Sequence, residues 1–599
     1  MSAGPGVLDP RTAAVLRRAL VSVCNQMGAA LARAAYSPVI SEGRDFAAGL
    51  FDRDGLLVAC GDQDLTGLLG TLEPTIELVL ERFPASELDD GDVLICNLPH
   101  EAGNHLNDIR LVKPIFAEGE LVAFAATVGH WTDVGGSVPG SINPFAGDLY
   151  AEGLRIPPAR IVRAGRFAEE LAGLIVANVR LPQEATGDLW AQITALETGS
   201  ARLGELIADH GVATVRAVFT FMQHHAETLL RRQLREIQDG EVACEEWMDP
   251  DPLEPERGPL CIRLTLTKRE DRLIADFSAS DAQPRAGIAS TRSLTASGVY
   301  VALLNLFPGV AFNHGAVRCV DVVTTPGTTV HAAFPAPVSG SAACGFEKVL
   351  ACMMRGIGAL APAKQVAAPY NLVNATLGGI DPRRDEQYVM YLWSEGGFGA
   401  GLGCDGGDEP SLTMYASGSR NQSVEVHERL FPLRYQAVEL ITDSGGAGTW
   451  RGGPGVRHSF EVTRGEGVLG VLGDRRAFPP WGVQGGHSSI AQGVWVNRGD
   501  PAEQDLGVAA ARVPVRAGDR VEMISAGGGG YGDPRLRDPA LVLRDVELGL
   551  VSAAAARDVY GVVLEPAGSM PGAWSIDTEA TREERDRQAY QTGGDEGRP

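Results

Sequence analysis

One hairpin constrains this chain more than any other segment. Leu111–Phe116 and Leu121–Val128 are apolar runs separated by Glu118-Gly119, the pattern of two antiparallel strands joined by a tight turn. A hairpin returns the chain to its starting point, so the residues before it meet the residues after it. Gly103-Asn104-His105-Leu106-Asn107-Asp108-Ile109 leads in, and Gly129-His130-Trp131-Thr132-Asp133 leads out. Imidazoles and carboxylates are therefore expected together at one end. That is the donor set accepted by borderline divalent metals such as zinc, manganese or iron. His105 and Asp108, three apart, can converge in a tight loop; alone they describe an ordinary hydrogen-bonded histidine equally well. His130 is the second imidazole that favours a metal. Asp45 opens a strand in the same unit and is a further candidate ligand, with an arginine-paired structural acid as the alternative.

The rest of the pattern predicts an α+β chain of several regions. Its 599 residues correspond to about three to four domains by length. Asp9-Pro10 reads as the N-cap and first position of a helix whose apolar face is Leu16, Leu20, Val23, Met27 and Leu31. Strands are expected at Phe46–Phe51, Leu56–Cys60 and Val93–Cys96, and a helix at Glu73–Phe83. Ala185–Asp239 reads as helical with a break near Gly211. The Pro/Asp/Glu-rich stretch Met248–Gly258 reads as a boundary. This gives an N-terminal metal-bearing α/β region at 8–248 and a middle region of helices and hairpins at 258–410. A glycine-rich, β-rich region follows at 411–535, and a polar, disordered tail is expected at 565–599.

Composition narrows the function classes. A net charge of −24 argues against non-specific binding to nucleic acid or anionic lipid. Nine scattered cysteines without a Cys-x-x-Cys pair read as reduced, mostly buried thiols. No signal-peptide pattern and no run of about 18 apolar residues is visible, so a soluble, cytoplasmic protein is expected.

Other motifs carry less. Ala526–Pro534 is glycine-rich but lacks the Lys-Ser/Thr ending of a phosphate loop, so close backbone packing with unusual φ angles is the expectation. His225 reads as a core histidine beside Met222 and Leu229. Cys344 has no evident base. Arg475-Arg476 reads as surface or ion-paired arginines, with the grip of an anionic group as the alternative.

Taken together, the segments resemble the hydantoinase B family, which includes the B subunit of N-methylhydantoinase, the matching half of 5-oxoprolinase and related acetone carboxylase subunits. The resemblance runs from about residue 8 to 535. It rests on Glu42-Gly43-Arg44-Asp45-Phe46, Gly103-x-His105-Leu106-x-Asp108-Ile109, and His130-x-x-Asp133-Val134-Gly135-Gly136 with Pro139-Gly140-Ser141. Downstream it rests on Asp443–Gly448, Trp450–Gly453, Asp474-Arg475-Arg476, Pro479–Gly482 and Gly527–Pro534.

The resemblance implies a divalent metal held by His105, Asp108 and His130, with Asp45 able to join. It also implies a partner, an ATPase A subunit that uses ATP to activate the substrate, so that no nucleotide is bound by this chain alone. The expected activity is ATP-dependent hydrolysis of a cyclic amide such as a hydantoin, oxoproline or a lactam. Asp133 is expected behind a ligand histidine, fixing its tautomer. The chain departs from the family pattern Asn-Asp-Pro-Tyr-x-Gly-Gly-Thr-His-x-Pro-Asp at Leu98 and His100, where it reads Asn97-Leu98-Pro99-His100. His100 is thereby a catalytic candidate or an additional ligand. A second departure lies at Leu412–Asn421, where the family's histidine is absent. An ATP-dependent ketone carboxylase subunit and a non-catalytic assembly subunit stand as alternatives.

Overall fold

The computed structural model describes residues 8–408, 419–567 and 573–593. Seven strands form the first sheet: β1 (Phe46–Asp52), β2 (Leu57–Cys60), β3 (Val93–Cys96), β4 (Asp108–Ala117), β5 (Glu120–His130), β6 (Ala159–Arg163) and β7 (Arg166–Phe167). Their order is β2-β1-β5-β4-β3-β6-β7, every neighbour antiparallel. Alternate residues of β5 serve different cores. Ala123 and Ala125 face the helices Pro10–Ala34 and Pro182–His210, whereas Phe124, Ala126 and Val128 face the middle of the chain. Both faces are covered, so these strands read as continuous apolar runs. The expected N-cap is present: the Asp9 side chain accepts from Thr12 N, with Pro10 in the first turn.

The hairpin is longer than its apolar pattern. β4 begins at Asp108 and β5 ends at His130, because backbone pairing continues past the last aliphatic residue. Its turn falls at Glu118 (φ 54°) and Gly119 (φ 80°), the paired positive angles of a tight hairpin turn.

A second sheet comprises β8 (Gly240–Met248), β9 (Leu260–Arg269), β10 (Arg272–Asp276) and β11 (Val320–Val323), in the order β11-β10-β9-β8. Here the expectation from Met248–Gly258 is corrected. Met248 pairs with Leu260, so the stretch joins adjacent strands of one sheet. Its acids serve the turn: Asp251 is buried and accepts from the backbone of Leu253 and Arg285.

The remaining strands are β12 (Asn374–Asp381), β13 (Glu386–Trp393), β14 (Leu433–Leu440), β15 (Val456–Val462), β16 (Glu466–Leu472), β17 (Gly493–Val496), β18 (Gln504–Gly507), β19 (Ala509–Arg516) and β20 (Arg520–Ile524). They form sheets β13-β12-β16-β19 and β14-β15-β20-β17-β18 around one apolar core. Because β12 pairs with β16, the limit expected at 410/411 is also bridged.

The tail expectation is corrected too, for the described residues. β21 (Leu564–Pro566) pairs with β22 (Trp574–Ile576), and a helix follows at Thr578–Gly593. Its polar composition hid the means of docking. Arg585 donates to the carbonyls of Tyr560 and Arg537, and Thr581 is buried.

The Gly527–Gly530 run lies against other backbone. A Cβ on Gly528 would lie 1.8 Å from the Phe398 carbonyl oxygen, and one on Gly452 1.9 Å from that of Gly528. The packing half of the expectation therefore holds. The φ half does not, since only Gly532 of this run has a positive φ. The amides of Gly528, Gly529 and Gly530 donate to the carbonyls of Gly453, Ala368 and His487, leaving them unavailable to cradle a phosphate. His225, expected in a core, is exposed and stacks on Phe221.

A buried charge cluster ties the second sheet to the C-terminal half. Glu246 of β8 accepts from Arg475 at 2.7 Å and from Trp481 Nε1 at 2.8 Å, with Lys348 at 3.8 Å and Arg355 at 3.5 Å. Burial works against the Glu246 charge, but Arg475, Lys348 and Arg355 outweigh it and hold the carboxyl below its ordinary range. The stabilisation is therefore present above the ordinary carboxylate range and lost as pH falls below it, through the lowered folded-state value. Glu246→Ala strands Arg475 and is expected to cost about 3–5 kcal/mol. A thermal midpoint equal to wild type would contradict this. Glu246→Gln should give a shallower loss of stability between pH 5 and the acid limit, as about 4.3 is the ordinary value for a glutamate.

Candidate metal centre

Three adjacent strands deliver the site. Asp45 immediately precedes β1, His130 ends β5 and Asp108 starts β4, so all three fall at one end of the first sheet. Asp108 and His130 are direct cross-strand partners. His130 N donates to Asp45 O at 3.0 Å, which fixes β1 in the same register. The loop carrying His105 is closed by Asp108 N donating to His105 O, and it is joined to β5 by Trp131 N donating to Asn107 O at 2.9 Å. Asn107 Nδ2 returns the bond to Trp131 O at 2.9 Å.

The side chains converge on one carboxylate. His105 Nδ1 is 3.6 Å from Asp108 Oδ2, and His130 Nδ1 is 3.5 Å from Asp108 Oδ1. The two imidazole rings stand edge to face, 4.9 Å between centroids. One donor atom from each of His105, Asp108 and His130 falls within 4.8 Å of the others. All three residues are buried. His105 Nδ1, His130 Nε2 and both Asp108 oxygens nevertheless have no hydrogen-bond partner. Buried polar atoms are almost always satisfied, so four orphans in one cluster fit a cation that would complete them. Asp45 stays outside that triad, with Oδ2 3.8 Å from His130 Nδ1.

Protonation follows the packing. Burial pushes the His105 imidazole down to about 4, keeping it neutral and able to ligate. Burial pushes the Asp45 carboxyl up to about 6, a rise that His130 opposes and Asp108 reinforces. For Asp108, burial favours the neutral acid, but the two imidazoles outweigh it and hold the carboxyl low.

The triad faces a small cavity of about 20 Å³, room for about one water. Much of its wall comes from distant parts of the sequence: Leu65 and Leu68, Ala342, Leu372 and Asn374, and Tyr391 and Trp393 of β13. Tyr391 stacks on His130 with centroids 5.0 Å apart, and its hydroxyl donates to Asn374 Oδ1 at 2.9 Å. Ser419 closes the rim, and Ser419 Oγ and Arg420 N both donate to Gly43 O. Sequence reasoning missed these wall residues. Their one visible signal is the aromatic spacing Tyr388, Tyr391, Trp393 on a strand, which says nothing about its neighbour in space. The altered segment begins outside the described residues, at 412–418.

Two expected site residues serve other purposes. Asp133 does not touch a ligand histidine. Its carboxylate accepts from Gly135 N, Gly140 N, Arg180 N and Arg180 Nη1, all within 3.0 Å, and so organises the 133–141 loop. His100 does not line the cavity; its ring packs edge-on against Phe334, over which Arg155 also lies.

A buried two-histidine, one-aspartate cluster beside a small pocket gives this α+β protein a group that could hold a divalent cation. The chain belongs to the hydantoinase B/oxoprolinase family, whose pattern matches residues 9–534. The caprolactamase subunit beta of Pseudomonas jessenii is 33% identical over 572 residues, covering 94% of this chain and 97% of that protein. A crystal structure of ATP-dependent caprolactamase from Pseudomonas jessenii matches with a TM-score of 0.88 over 97% of this chain and 100% of that one, at 31% identity. The Arabidopsis thaliana 5-oxoprolinase 1 is 27% identical over 88% of this chain and 42% of its own length. A nucleotide-free acetone carboxylase shares the fold, with a TM-score of 0.89 at 19% identity over 99% of this chain and 85% of that one. No helix among the described residues is long and apolar enough to cross a membrane.

His105→Ala and His130→Ala should each abolish stoichiometric binding of Zn, Mn or Fe, read by elemental analysis. Full metal retention in both would contradict the ligand assignment. Asp133→Ala should keep the metal while lowering the thermal midpoint, because it leaves Arg180 and two loop amides unpaired.

Proposed function

We propose that this chain is the metal-binding B subunit of an ATP-dependent cyclic amidohydrolase, opening the ring of a hydantoin, oxoproline or a lactam together with an ATPase A subunit. The observation that carries the reading is the buried His105–Asp108–His130 triad with its orphaned donor atoms. Its support is a caprolactamase subunit beta alike over nearly the whole chain.

Ring amides resist hydrolysis because resonance is lost and nitrogen leaves poorly. Phosphorylation of the amide oxygen by the partner makes the ring carbon electrophilic. His105, Asp108 and His130 would hold a divalent cation, and when bound it would supply Lewis-acid activation of water near neutral pH. Tyr391 stacks on His130 and keeps its ring in the plane that faces the triad. Asp45, outside the triad and with its carboxyl pushed up to about 6, is suited to take a proton at Oδ2 from the attacking water and return it to the departing nitrogen, and the acyl phosphate so formed releases its phosphate to a second water. The apolar wall keeps bulk water away from the reacting carbon.

Two outcomes check this. The purified chain alone should hydrolyse no ATP, and with its partner, ATP and a divalent metal it should open a cyclic amide; bicarbonate-dependent consumption of a ketone instead would establish the carboxylase alternative. Asp45→Asn should retain the metal while lowering kcat by about 10²-fold. Loss of metal in that variant would make Asp45 a ligand.

A further inference from the structure

The two strands that carry Asp108 and His130 are also tied together from the helix packed behind them. Asp108 is followed by Ile109 on β4, and His130, the last residue of β5, by Trp131. One side chain of the helix Pro182–His210 bonds to both following residues. Gln192 Nε2 donates to Ile109 O at 2.9 Å, and Gln192 Oε1 accepts from Trp131 Nε1 at 3.1 Å. Gln192 and Trp131 are both fully buried. Gly129, opposite Ile109 in the ladder, leaves the amide its room: a Cβ there would stand 3.3 Å from Gln192 Cδ and 3.4 Å from Nε2. Trp131 is held at every polar atom, since its N donates to Asn107 O and its O accepts from Asn107 Nδ2.

The bridge uses what an amide offers, a donor and an acceptor at one end of one side chain. An apolar side chain of the same bulk would fill the space and tie neither strand. Because both amide atoms are buried, any shift that parts Ile109 from Trp131 leaves a polar group unpaired, and that costs more than the bond itself gains. The link therefore resists changes in the separation of the residues just before, Asp108 and His130. Groups that hold metal ligands in place govern affinity strongly. Resting on the assignment of His105, Asp108 and His130 as cation ligands, we propose that Gln192 is a positioning residue of the site. By bridging Ile109 O and Trp131 Nε1 it fixes Asp108 and His130 at the separation a divalent cation requires.

The test reads metal affinity and needs no substrate. The full chain is titrated with Zn²⁺ in competition with a chelating dye. Gln192→Met, close in bulk to glutamine, should raise Kd by about tenfold. Trp131→Phe removes one of the two bonds and should raise it by a smaller factor. Asp133→Ala separates positioning from general stability, because it loosens the 133–141 loop without touching the bridge. Its Kd should stay at the wild-type value even where its thermal midpoint falls as far as that of Gln192→Met. A wild-type Kd in Gln192→Met, or equal weakening in Asp133→Ala, overturns the proposal. If Gln192→Met does not fold, a wild-type Kd in Trp131→Phe overturns it instead. A wild-type chain that binds no Zn²⁺ removes the metal centre and this role together, a result distinct from a wild type that binds while its variants bind equally well.

Discussion

The site depends on one strand register. Asp108 on β4 stands opposite His130 on β5, and antiparallel partners have Cα atoms about 4.5–5.5 Å apart with side chains on a shared face. That spacing brings an imidazole and a carboxylate within reach of one ion without help from a flexible loop. β1 adds Asp45 through the His130 N–H, and the His105 loop is fastened at both ends. A slip of one residue would send Asp108 and His130 to opposite faces, so the two-sided apolar packing of the sheet protects the chemistry as well as the fold.

The cost of this placement is electrostatic. Carboxylates and imidazoles are withdrawn from water, and their protonation settles accordingly: His105 is held neutral, Asp108 charged, and the Asp45 carboxyl is raised to about 6. Groups so arranged are strained in isolation and mutually satisfied around a cation. Elsewhere the chain handles buried charge differently. There the Glu246 carboxylate is paired within the protein, with Arg475 at 2.7 Å and Lys348 at 3.8 Å.

Much of the site was legible before any coordinates. The hairpin pattern placed His105, Asp108 and His130 together because a strand pair returns on itself, a local rule. Asp133 and His100 were expected beside the ligands from their nearness in sequence, and neither lines the cavity. Proximity in sequence to a ligand does not decide which way a side chain turns, and Gly135, Gly140 and Arg180 claim the Asp133 carboxylate first. Leu65, Leu372, Tyr391 and Trp393 reach the cavity through long-range packing that no local pattern encodes. The same holds for the supposed boundary at Met248–Gly258. Prolines and acids mark a turn, but only the pairing of Met248 with Leu260 reveals that the turn lies within a sheet.

The far end of the hairpin that carries Asp108 and His130 has a practical consequence. Each of its strands runs ten residues or more from the ligands, so Glu118 and Gly119 sit roughly 30 Å along the strands from the site at 3.4 Å per residue. Nothing lies within 4 Å of where a Gly119 Cβ would stand. That tip is thus a natural anchorage for a fluorophore, a tether or an affinity handle, rigidly joined to the active end yet too remote to perturb it.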